Sequence, residues 1–272
     1  MLVEGIYLDL SSEDYHNHKE SISRSSLMDF KKSPRKYWAN HLNPDRPIKE
    51  RTSAMEFGTM FHTFILEPYL FQRNYFVLPE KVLKKDNPEQ YETNKKLEEQ
   101  AEKANKIVLS QIDYQKLWDM RESLLSNTKA RELLEGGVYE SSYFWKDKNS
   151  GLMLKSRPDI LQPNMYIDLK TIEDASPQNF QREMVKFGYH TQSAMVKDAV
   201  FELKEIELSA CINICVEKTY PYSVGIYIID EAAIEAGHHE YKELCARLKH
   251  AIVYNEFEDY PIQTIGLPKW AL

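Results

Sequence analysis

Asp159, Asp168 and Lys170 are the residues whose types and spacing most readily make a chemical site, with Lys155 and Arg157 just upstream. They fall in two β-rich runs, 152–161 and 165–171, separated by Gln162-Pro163-Asn164, a hairpin turn by composition. In the second run the side chains alternate. Met165, Ile167 and Leu169 can enter a core, while Tyr166, Asp168 and Lys170 share the opposite face. Asp168 and Lys170 then stand roughly 6–7 Å apart at about 3.3 Å per residue. Asp159 has the same parity as Lys155 and Arg157, so these three charged groups point one way, and a hairpin can bring Asp159 beside Asp168. Such a set suits phosphodiester hydrolysis. Hard carboxylate oxygens hold Mg2+ together with substrate phosphate and several waters. The ion polarises the phosphoryl oxygen and lowers the pKa of a bound water. A lysine orients that water or offsets the charge developing in the transition state. The same residues, taken alone, also describe two exposed carboxylates on a solvated hairpin, with Lys170 as an ion-pair partner.

Other stretches could contribute. Residues 54–68 form an apolar helix candidate in which Gly58 and His62, four apart, share a face. Glycine there admits a close backbone. His62 is then a metal ligand, a phosphate contact, or a core histidine satisfied by a hydrogen bond. Ser25 or Ser26 can cap a helix carrying Leu27, Phe30 and Tyr37, with Pro34 restarting it. With Arg24 alongside, the free N–H groups of that helix start could also hold a phosphate, although capping alone accounts for the serines. Glu140, in the run 138–145, shares parity with Ser142 and Phe144 and can face the site.

The elements that must position these groups alternate along the chain. Helical patterns cover 89–104, 110–125, 128–134, the stretch from Ser176-Pro177 to Gly188, 190–203 and 231–254. Strand patterns cover 106–109, 138–145, the hairpin, 209–217 and 222–229. His238 and His239, adjacent on a helix, diverge by about 100° and do not share a metal. At 272 residues, with 42% hydrophobic content, the chain can bury a full core. It shows no membrane-span-length apolar run and no signal pattern. Its three cysteines, Cys211, Cys215 and Cys245, suit a reducing cytoplasm. A formal charge of −7 excludes a broadly basic nucleic-acid coat but allows a local basic groove.

Several ordered features together resemble the exodeoxyribonuclease VIII (RecE) family of the PD-(D/E)XK superfamily, which also holds the RecB-type nuclease modules. They are Ser25-Ser26-Leu27 followed by Ser33-Pro34-Arg35-Lys36-Tyr37; Gly58-x-x-x-His62; Tyr139-Glu140 with Tyr143-Phe144-Trp145; Arg157-Pro158-Asp159; Asp168-Leu169-Lys170-Thr171; Gln192; and Leu267-Pro268-Lys269-Trp270. The resemblance implies an α/β fold with a PD-(D/E)XK restriction-endonuclease-like core, a central mixed β-sheet flanked by helices. It implies one domain over 1–272, with a helical N-terminal part at about 1–135 and a catalytic sheet core at about 136–272. It implies a Mg2+-dependent deoxyribonuclease, with Mn2+ as a substitute, that degrades linear double-stranded DNA from 5′ ends in phage-type recombination. A ring-shaped homo-oligomer and a single-strand annealing partner come with it, and no membrane.

By position, Asp159, Asp168, His62 and the backbone of Leu169 are expected at the metal, and Lys170 at the nucleophile. Glu140 and Gln192 are accessory positions. Arg24, Ser25, Ser26, Lys155 and Arg157 are expected on DNA or its 5′-phosphate. Gln192 matches the first residue of a Q-x-x-x-Y motif whose tyrosine is replaced here by Val196. Related nucleases that carry an iron–sulfur cluster use four cysteines, so none is expected. The alternatives are an inactive DNA-binding protein on this fold and a structure-specific endonuclease.

Overall fold

The computed structural model describes residues 2–47 and 52–267, so Pro268, Lys269 and Trp270 of the terminal motif lie outside the described residues. The chain opens with β1 (Gly5–Tyr7), α1 (Ser12–Asn17), α2 (Arg24–Lys32) and α3 (Pro34–Tyr37). Then come α4 (Ser53–Leu66), α5 (Pro68–Asn74), β2 (Tyr75–Val77), α6 (Pro88–Lys103), β3 (Ile107–Leu109), α7 (Gln111–Ser126) and α8 (Thr128–Leu134). The second half holds β4 (Val138–Tyr139), β5 (Ser142–Lys146), β6 (Met153–Ser156), β7 (Ile160–Leu161) and β8 (Met165–Ile172). It ends with α9 (Pro177–Phe187), α10 (Tyr189–Lys204), β9 (Ala210–Glu217), β10 (Val224–Ile228) and α11 (Glu231–Tyr254).

The central sheet has five strands in the order β10-β9-β8-β7-β4. It is mixed: β8 and β9 run parallel, and the other pairs are antiparallel. The parallel pair needs a long crossover, which α9 and α10 supply. Strand β8 is covered on both faces. Ile167 and Leu169 join Ile212, Ile214 and Val216 under α4, α7 and α8. Tyr166 and Ile172 join Cys211 and Cys215 under α2, α10 and α11. Each fully buried aliphatic residue in these layers contributes roughly 1.5–3 kcal/mol relative to exposure. The expected alternation on 165–171 therefore holds, but neither face is solvated.

The run 152–161 is not one strand. β6 pairs with β5 in a separate three-stranded sheet, β1-β5-β6, while β7 pairs with β8. Pro158 lies in the break and has no N–H for a ladder, which is why a continuous strand ends there. The run 138–145 divides likewise between β4 and β5. At that division Glu140 adopts φ +49°, a left-handed conformation rare outside glycine.

The part before residue 136 is mostly helical, as expected. However, β1 pairs with β5, and α2 and α4 pack on opposite faces of the central sheet. No described helix is long and apolar enough to cross a membrane.

Candidate active site

Strand β8 presents Asp168 and Lys170, and the β7–β8 hairpin brings Asp159 beside them. Asp159 Oδ2 accepts the Leu169 N–H at 2.7 Å, which pins the carboxylate across the hairpin. Helix α4 delivers His62 to the same place. Gly58, one turn earlier, faces β8; a Cβ there would stand 3.4 Å from Thr171 Oγ1, an ordinary contact, so the packing of α4 on β8 does not depend on the glycine. His62 Nδ1 is 3.5 Å from Asp159 Oδ2, and the ring also bonds the Leu169 backbone. Glu140 enters from the β4–β5 break. Its N–H donates to the Asp159 carbonyl at 3.0 Å, and its Oε2 receives Arg157 Nε at 2.8 Å. One ligand atom each from His62, Glu140 and Asp159 lies within 4.8 Å of the others. Asp168 stands beside this triplet, not in it.

The Asp168 carboxylate carries four contacts. Oδ1 accepts from Tyr166 Oη at 2.6 Å and Gln192 Nε2 at 2.9 Å, while Oδ2 accepts from Asn213 Nδ2 at 3.0 Å and pairs with Lys170 Nζ. Burial works to raise its pKa, but the Lys170 charge and the hydrogen bonds of Lys170 and Tyr166 outweigh it, so Asp168 stays below the usual carboxylate range. Lys170 is kept charged in turn. Burial works against its ammonium, and Asp168 and then Asp159 override that and raise its pKa.

The triplet behaves oppositely. Burial, and then the Asp168 charge, push Asp159 well above its ordinary value. Burial and then Asp159 push Glu140 up to about 7. Burial lowers the His62 pKa, which favours the neutral ring that a metal ligand requires. Two crowded carboxylates with a neutral imidazole call for a compensating cation. Carboxylate and backbone oxygens suit Mg2+ or Mn2+. The residues present fit such an ion.

Several expectations need correction. The cap of α2 is Ser23, not Ser25 or Ser26, because Arg24 is already helical. Ser26 is buried at the third helical position of a capping box, and Ser25 is exposed, with its hydroxyl 2.9 Å from Ser23 Oγ. Lys155 is turned into the fold, away from solvent. It is 5% exposed, and its Nζ donates to the carbonyls of Tyr15 and His18 at 2.6 and 2.8 Å. Its shared parity with Asp159 loses meaning once the strand breaks between them. Arg157 faces Glu140, the Leu10 carbonyl and Ser142 Oγ, so its guanidinium is engaged within the protein.

Arg24 does face the site. Its Nη1 donates to the Phe187 carbonyl at 2.7 Å and its Nη2 to Gln192 Oε1 at 3.4 Å. Gln192, an accessory position in the sequence, is a hub that touches Tyr166, Asp168, Lys170 and Arg24. Val196 is 1% exposed inside the core, where a side chain cannot contact a ligand.

Asn213 and Tyr189 join the site although neither is among the residues expected there. Asn213 is the register partner of Asp168 on β9 and is buried, and its Oδ1 accepts no hydrogen bond from the described residues. Its Nδ2 faces Asp168 at the cost of that orphaned acceptor. A polar residue within the apolar run Ile212 to Ile214 was the available signal. Tyr189, three residues before Gln192, has its ring centroid 4.8 Å from Lys170 Nζ.

A family model described as a PDDEXK-like domain of unknown function (DUF3799) matches residues 23–261. No curated protein matches the chain in sequence. Among solved structures the chain is similar to a candidate exonuclease from Eubacterium rectale, at 17% identity and TM-score 0.56, over 94% of this chain and 97% of that one. It is also similar to an alkaline exonuclease (LHK-Exo) from Laribacter hongkongensis, at 12% identity and TM-score 0.39, over 90% and 96%.

Proposed function

We propose, since the chain belongs to the PDDEXK-like family DUF3799, that it is a metal-dependent exodeoxyribonuclease acting on linear double-stranded DNA from 5′ ends. The observation that carries the reading is the His62–Glu140–Asp159 triplet lying beside the Asp168–Lys170 pair. His62, Glu140 and Asp159 would hold Mg2+ or Mn2+, with the Leu169 backbone adjacent. Asp168 is a further candidate ligand through Oδ2, the oxygen it shares with Lys170 and Asn213. The ion, when bound, supplies charge to a phosphoryl oxygen and acidifies water. Lys170 donates a hydrogen bond to the attacking water or to the oxygen on which charge develops. Gln192 and Tyr166 hold Asp168, and so Lys170, in place. Arg157 holds Glu140 against the repulsion of Asp159. An inactive DNA-binding scaffold has no use for a buried lysine held charged by two carboxylates. Incubation with linear duplex should release nucleotides with Mg2+ and none with EDTA; no release under either condition would refute the activity.

The metal assignment has a separate test. Glu140 titrates near 4.5 unfolded and at about 7 folded, so between these values the folded state holds the extra proton. Stability with EDTA is therefore expected to fall as pH rises from about 5 to about 8. Asp159, also raised, acts in the same sense. Glu140→Gln should flatten that fall, and Mg2+ should raise the melting temperature of the wild type more at the higher pH. A melting temperature indifferent to Mg2+ throughout would remove the metal from this site.

Arg24 and Lys170 both contact Gln192 Oε1, and Ser25 is exposed at the same helix start, so a terminal phosphate bound beside Lys170 would meet Arg24. Arg24→Ala is expected to reduce the preference for 5′-phosphate over 5′-hydroxyl ends by about tenfold or more, the loss of one charge-assisted contact. Metal-dependent stabilisation should persist. Equal discrimination by mutant and wild type would exclude the role.

A further inference from the structure

Beside the site an aromatic ladder runs through a buried ring to the surface. Tyr227 stacks on Phe180 (centroids 4.4 Å, planes 13° apart), Phe180 on Tyr189 (6.1 Å, 23°), and Tyr189 on Phe187 (5.8 Å, 25°). Phe180 is 3% exposed and Phe187 is 38% exposed, so the ladder runs from core to solvent. Gly188, at φ +70°, separates α9 from α10, and Phe187 and Tyr189 stack across it. A lone surface aromatic is ordinary. This one is backed by three rings and ringed by cations. Lys170 Nζ lies 4.8 Å from the Tyr189 centroid, Lys186 Nζ lies 4.9 Å from that of Phe187, and Arg24 bonds the Phe187 carbonyl.

Flat aromatic faces beside cations are what a single nucleic-acid strand binds, through base stacking and phosphate contacts. The recess itself favours one strand. Asp159 and Asp168 are 8% and 1% exposed, so they lie below the surface on which a duplex would rest. A strand that leaves the duplex reaches them more readily, and the base it carries loses its pairing and stacking partners.

We propose that Phe187, backed by Tyr189, is a stacking platform for an unpaired nucleobase next to the phosphate held at Lys170. The platform rests on the nuclease reading above. Tyr189 lies against Lys170 and Phe187 one ring beyond, so the stacked base belongs to a nucleotide neighbouring the one under attack. Stacking of this kind accepts any base, because every base has a π face.

The test pairs protein variants with DNA lesions. Linear duplexes carry an abasic nucleotide at each of the first few positions of the digested strand. Binding in Ca2+ and single-turnover digestion in Mg2+ are then measured. At one position the abasic lesion should weaken wild-type binding by about tenfold, and Phe187→Ala should do the same on intact DNA. The two combined should be no worse than either alone, as for two halves of one contact. Phe187→Trp should match wild type, and Phe187→Leu should behave like the alanine variant. The Arg24 contact survives in all of them because it uses the backbone carbonyl. Additive losses at every position, or wild-type behaviour of Phe187→Ala or Phe187→Leu with digestion intact, would overturn the platform and leave the nuclease reading standing. No Mg2+-dependent digestion by the wild type would overturn both.

Discussion

Alanine at position 159 is expected to slow Mg2+-dependent hydrolysis by about a thousandfold or more, the scale of the several kcal/mol that a catalytic metal contributes. Asp159 is one of the three groups that converge in the triplet, and its Oδ2 also takes the Leu169 N–H. The fold should survive. An unpartnered Leu169 N–H costs about 1–3 kcal/mol, but removing a crowded carboxylate offsets part of that. Asp159→Asn keeps the acceptor, loses the charge, and should be as inactive yet more stable in EDTA than wild type. Single-turnover rates and near-ultraviolet circular dichroism check both parts. Wild-type rates at saturating Mg2+ would remove Asp159 from the chemistry, and unfolding of both variants would make it structural.

Lys170→Ala is expected to lower the single-turnover rate by about 10²–10³-fold, as loss of a preorganised donor does. DNA affinity should change far less, because the lysine's contact strengthens as the transition state forms. Its ammonium is fixed on three sides by Asp168, Gln192 Oε1 and the Tyr189 ring, which makes it a directed donor. Breaking a buried pair commonly costs about 3–5 kcal/mol. Here Asp168 keeps Tyr166, Gln192 and Asn213 as donors, so a smaller loss of stability is expected. Arginine should not rescue the rate, since its wide planar fork does not reproduce a compact ammonium. An unchanged single-turnover rate with weaker DNA binding would make Lys170 an ordinary phosphate contact.

Local patterns carried much of the fold. Ser110, Ser176 and Gly188 mark helix ends in the sequence and in the structure, because capping depends on a few neighbouring residues. Alternation on β8 placed Asp168 and Lys170 on one face. Gly58 and His62, four apart, share the face of α4 that meets β8, because one helix turn fixes that relation locally. Non-local facts were not legible. Parity along 152–161 put Lys155 beside Asp159, but parity says nothing about where a strand leaves its sheet, and Pro158 marks such a point. The left-handed backbone at Glu140 has no signature in its side chain, so its arrival in the triplet was only one option. Asn213 and Tyr189 meet Asp168 and Lys170 through sheet register and a crossover, neither of which a single sequence displays.

The most direct test of the metal-dependent exonuclease is digestion of equimolar linear and covalently closed circular duplex in one tube, followed by gel electrophoresis with Mg2+ and with EDTA. The linear DNA should disappear progressively with Mg2+, the closed circle should persist, and EDTA should protect both. Persistence of the linear duplex in Mg2+ and in Mn2+ alike would contradict the account.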